Sequence, residues 1–155
     1  MSWERIGEAK SLDEAREAFI DMVGHVALRP VMYSGLPSIE SLLNYLFTYE
    51  DGLHAAGFTF DLLTGFGDWV HWRFGIYHAA WSIGRILWHV AGSEADALRA
   101  LQSQLRQFWK DLDEFGLDRL RREAEAIFEA APGHTSTVIL SVWYSQMKEE
   151  GRLPQ

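Results

Sequence analysis

Residues 66–89 (FGDWVHWRFGIYHAAWSIGRILWH) gather four of the chain's seven tryptophans and three of its six histidines. On one continuous helix, His71, Gly75, His78, Ser82, Arg85 and His89 would fall within roughly 40° of a common direction, at about 100° per residue. Nearly everything else in the segment is apolar. A polar seam of this kind could line a pocket built on His71, His78, Arg85 and His89, which would bind a small anionic molecule or, as an enzyme, act on an anionic substrate. The same side chains could instead bond backbone carbonyls, or carboxylates such as Asp111 and Glu114, inside a bundle. Either way they need partners, since an unsatisfied buried polar group costs about 1–3 kcal/mol.

Metal chemistry is not expected. His71 and His78 stand two turns apart, roughly 10 Å at the rise of a helix, too far to share an ion. Arg85 occupies the position where a His-x3-His zinc pair with His89 would need a second imidazole. A di-iron bundle needs repeated Glu-x-x-His, and only Asp51-x-x-His54 approaches it. Cysteine is absent, which removes thiolate ligands, disulfides and a cysteine nucleophile. There is no G-x-S-x-G elbow, HExxH pair, glycine-rich phosphate loop or dinucleotide fingerprint. The expectation is a protein without cofactor, metal or catalytic activity.

Charge points to binding instead. The net charge of −8 argues against nucleic acid, which demands a basic footprint. Between Arg29 and Arg73 there is no lysine or arginine, while Glu40, Glu50, Asp51, Asp61 and Asp68 fall in that interval. A one-sign region steers an oppositely charged partner, here a basic protein, and Tyr33 or Trp69 would be the aromatic anchor. The plainer alternative is a solvated face that keeps the chain soluble. The segment Arg29-Pro-Val-Met-Tyr-Ser-Gly35 reads as a tight connector: Pro30 stops a helix, Met32 and Tyr33 plug the core, and Gly35 permits a positive φ. A second reading places Arg29 and Tyr33 on a recognition surface beside Glu40 and Asp68.

Helical signals supply the scaffold. Ser11-Leu-Asp-Glu14 is a capping box, and Leu12, Ala15, Phe19, Met22, Val23 and Val26 predict a helix over 12–28. Ser38 caps a second helix over 39–56 that stops at Gly57. The apolar stretch 57–67 should lie on the core. A helical segment follows over 68–91, with Gly75 as its weak point. Ser93 caps a helix whose stripe runs Leu98, Leu101, Leu105, Phe108, Trp109, Leu112 and Phe115, up to Gly116. Leu117 to Ala131 form the next helix. Residues 135–150 read as a helix by length and spacing, although their Val, Ile and Thr content would suit a strand. With 155 residues and 48% hydrophobic content, the expectation is a single all-α domain, a bundle of five to six helices. Charges at the N-terminus and the lack of a bilayer-length apolar run suggest a cytoplasmic location.

Four pieces occur in order: Arg29–Gly35 (RPVMYSG), Phe66–Phe74 (FGDWVHWRF), Trp81–Leu87 (WSIGRIL) and the acidic helix Ala97–Phe115. In this the chain resembles a set of small bacterial helical proteins carrying an RPxMYxG segment. Immunity proteins that neutralise secreted or contact-delivered toxins are counted among them. The resemblance implies a binding module that occludes a partner protein and has no activity of its own.

Overall fold

In chain order the elements are a 3-10 turn, Trp3–Glu8, then α1 (Leu12–Leu28), α2 (Pro30–Ser34), α3 (Ile39–Ala55), α4 (Phe66–Phe74), α5 (Ile83–Ala91), α6 (Glu94–Phe115) and α7 (Leu117–Ala130). These come from a computed structural model that describes residues 3–76 and 81–130. Every regular element among them is helical, so the all-α class stands. Among the described residues there are seven α-helices, against the five to six expected for the chain. One extra helix is α2: Pro30 ends α1 as anticipated, but also takes the first position of a new turn, where its missing N–H costs nothing. The other arises because the 68–91 segment is two helices. Gly75 takes a left-handed φ of 60° and closes α4, its N–H bonding His71 O at 2.8 Å. The expected helix or strand over 135–150 and His78 lie outside the described residues.

The caps follow the sequence closely. Ser11 Oγ accepts from Glu14 N at 3.1 Å, and the Glu14 carboxylate reaches back to Lys10 N at 2.9 Å, one residue beyond the usual capping-box partner. Ser38 caps α3 through Ser41 N, and Ser93 caps α6 through Asp96 N, each at 3.1 Å.

The described residues pack as two compact units, 3–64 with 87–107 and 65–76 and 81–86 with 108–130, and α5 and α6 contribute to both. In the first, Phe19, Met22, Val23 and Val26 of α1 are buried, as are Ile39, Leu42, Leu43 and Leu46 of α3 and Leu101 and Leu105 of α6. Two cross-links tie α6 to its neighbours. Glu94 accepts from Ile39 N at 2.9 Å, supplementing the α3 cap, and Gln102 Nε2 donates to Ile20 O at 2.9 Å. The expected apolar loop does lie inward: Leu62 and Leu63 are buried.

The second unit is built around Trp69. Its ring centroid lies 5.7 Å from Phe66, 5.9 Å from Phe108 and 6.0 Å from Phe74. Such centroid spacings are those of favourable aromatic pairs. The indole N–H donates to the buried Asp111 carboxylate at 2.8 Å. Trp72 packs on Phe115 and donates to Glu123, joining α4 to α7.

Candidate docking surface

The segment 28–36 is short of partners for its apolar side chains. Leu28 is 82% exposed, Val31 56%, Met32 70% and Leu36 58%. Among the described residues these are the large hydrophobic side chains left well exposed. No residue of α2 is buried. Met32 therefore does not plug the core, contrary to expectation: a five-residue helix has too few turns to turn every apolar side chain inward. Gly35 does take the positive φ anticipated for it, 80°, and its N–H bonds Val31 O at 3.1 Å. The Ser34 hydroxyl donates toward Pro30 O (2.9 Å) and Leu36 O (3.0 Å), which fixes the turn from within.

What anchors α2 is Tyr33. Half-buried, its ring lies edge-on to His25 at 6.0 Å and tilted to Tyr45 at 6.0 Å, and Tyr45 continues to Tyr49 at 6.3 Å. This row of rings holds α2 against α3 and turns Val31 and Met32 outward. Burial, and secondarily each neighbouring phenol, raises the pKa values of Tyr45 and Tyr49, so both stay neutral through physiological pH.

Beside the ridge runs an open groove of about 400 Å³, lined by Tyr33, Ser34, Ser41, Asn44, Tyr45 and Thr48. Ser41, Asn44, Tyr45 and Thr48 recur at helical spacing on α3, opposite its buried stripe. Glu40 and Asp51, both exposed, border this stripe along one side of α3, Glu40 one turn before Asn44 and Asp51 one turn beyond Thr48. The lining contributes hydroxyls, phenols and one carboxamide. The groove residues other than Tyr33 were not singled out from sequence, although an uncharged polar stripe between two carboxylates on a helix was there to be read.

The remaining expected site residues fall into three groups. Asp61 is exposed, 3.7 Å from His54 Nε2, which also contacts Phe60 O at 2.8 Å. Glu50 and Trp69 are buried and offer nothing to a partner. Glu50 lies on the apolar stripe of α3, four residues after Leu46, and its Oε2 accepts from Leu62 N (2.6 Å) and Leu63 N (3.0 Å). Trp69 is the hub of the second unit, and Asp68 beside it pairs with Arg121 at 3.3 Å. The continuous seam of the 68–91 segment is broken at Gly75. His71 Nδ1 contacts Ile76 O at 2.8 Å, and burial lowers its pKa despite the opposing pull of that carbonyl and of Asp68. Arg85 is exposed, its guanidinium 5.5 Å from the Trp81 ring centroid, and His89 is exposed on α5. No group of three His, Asp or Glu among the described residues is placed to hold a metal ion. No helix among them is long and apolar enough to cross a membrane.

The class these features define, among the described residues, is an all-helical protein with an exposed apolar segment beside a polar, tyrosine-lined groove. No protein-family model matches the chain, and neither curated proteins nor solved structures yield a match.

Proposed function

We propose that this chain is a non-enzymatic protein-binding module that occludes a basic partner, in the manner of a toxin-immunity protein. The observation that carries the reading is the concentration of exposed Leu28, Val31, Met32 and Leu36 in one short stretch. Singly exposed hydrophobics need no explanation, but four within a nine-residue stretch point to an interaction site. The partner's charge follows from the setting: Glu40, Asp51 and Asp61 are exposed in an interval of the sequence that contains no cation. A basic surface meeting this face would be steered to it, while a second acidic copy would be repelled.

Co-expression tests the reading. The product of the adjoining gene, expressed alone, should slow growth, and the wild-type chain should restore it. The double variant Val31→Asp, Met32→Asp should fold normally and fail to protect. Protection undiminished by that double variant would refute the docking surface.

A further inference from the structure

We infer that the groove between α2 and α3 is a socket for an arginine side chain of the partner. This rests on the docking reading above, and adds to it the identity of the group inserted beside the apolar ridge.

Several features of the groove converge on a guanidinium. Its volume of about 400 Å³ sits at the small end of the roughly 300–1,000 Å³ typical of ligand sites, enough for a side chain and not for a folded element. Two of its lining residues are phenols in mutual contact, Tyr33 and Tyr45, and aromatic faces attract cations. Ser41, Asn44 and Thr48 bring oxygen acceptors along one wall. Among the described residues, no lysine or arginine lines it. Outside the lining, the exposed Glu40 and Asp51 stand one turn from Asn44 and Thr48 on α3, and carboxylates at that spacing favour a cation over a neutral polar group. Arginine suits these walls better than lysine. Its guanidinium is flat, so it stacks on a ring while its five N–H donors reach acceptors in the same plane, and it is more weakly hydrated than an ammonium. The exposed Val31, Met32 and Leu36 would then cover the apolar residues flanking that arginine, as energetically modest contacts around an anchor usually do.

The test is a solution NMR titration of the full chain with a hexapeptide alternating leucine and arginine. Parallel titrations use the same peptide carrying lysine, or the uncharged isostere citrulline, in place of arginine. The expected result is saturable shifts in the amides of Ser41, Asn44, Tyr45 and Thr48 with the arginine peptide. Binding should be roughly fivefold weaker with lysine and not saturable with citrulline. Thr48→Lys, an exposed substitution that leaves the core untouched, should abolish the arginine-peptide shifts. Glu40→Gln should weaken binding about twofold and flatten its salt dependence. Citrulline and arginine peptides that saturate the same amides with equal affinity would overturn the socket while leaving the docking face standing. Shifts confined to other residues, or none at millimolar arginine peptide, would overturn it as well. If Met32→Asp leaves arginine-peptide binding intact, the socket stands and the apolar ridge is refuted separately.

Discussion

Glu50 is the sharpest place to perturb this structure, because sequence reading assigns it to a partner-facing surface and the fold assigns it to the interior. Its Oε2 accepts two backbone amides, Leu62 N at 2.6 Å and Leu63 N at 3.0 Å, and both leucines are buried. Glu50→Ala strips the acceptor from two donors that water reaches poorly. Each such donor costs about 1–3 kcal/mol. Some relaxation of the loop toward solvent brings the total to about 2–4 kcal/mol. For a chain of this length each kcal/mol moves the melting temperature by roughly 2–4 °C, so a fall of about 5–15 °C is expected. Glu50→Gln keeps a carbonyl oxygen but loses the charge-assisted strength of the bonds, and should cost about 1–2 kcal/mol. Asp51→Ala, one residue on and exposed, should stay within about 0.5 kcal/mol of wild type. Urea unfolding followed by circular dichroism measures all three at one pH. If Glu50→Ala proves as mild as Asp51→Ala, the carboxylate is not the clasp of the 57–65 loop and the inward placement of Leu62 and Leu63 needs another cause.

Other perturbations probe the remaining links. Gly75→Ala forces a side chain into left-handed backbone at φ 60° and should cost about 1–2 kcal/mol, read as a lower urea midpoint. Burial holds the folded His71 below its ordinary pKa of 6.5, so the unfolded chain takes up the proton more readily. Stability is therefore undiminished by this group above about pH 6.5 and falls as pH drops from there through the lower folded value. His71→Asn should accordingly flatten the dependence of melting temperature on pH between about 7.5 and 5.5. Met32→Asp should change stability by less than about 0.5 kcal/mol in chemical denaturation, since the side chain is already in water. A large loss would show Met32 to be packed.

The scaffold was legible wherever a long apolar stripe met a capping residue. Leu12–Leu28 and Glu94–Phe115 have the expected bounds because Ser11, Ser93 and Gly116 mark ends that the 3.6-residue period fills. The period fails below about eleven residues. That is why Met32, in the five-residue α2, could be read as a core plug beside Tyr33, and why its outward side chain went unseen. Gly75 shows a different limit. An isolated glycine is tolerated within a helix, so its left-handed conformation is decided by the packing of Phe74 and Ile76, both buried, and not by spacing. At the site, charge alone does not separate Glu40 from Glu50. Their positions on α3 do: ten residues carry the chain about 1000° around the helix, placing Glu50 with Leu43 and Leu46 and Glu40 with Asn44. The contact of Trp69 with Asp111 joins residues far apart in sequence and leaves no local trace.

Site-specific photo-crosslinking tests the docking face most directly. A photoreactive residue at position 32, on the ridge, is compared with one at Ser103, exposed on α6, in cells that make this chain. The expected result is an adduct with a basic protein from position 32 alone, diminished by Glu40→Lys. Adducts solely with a second copy of this chain, or the same adducts from both positions, would contradict it.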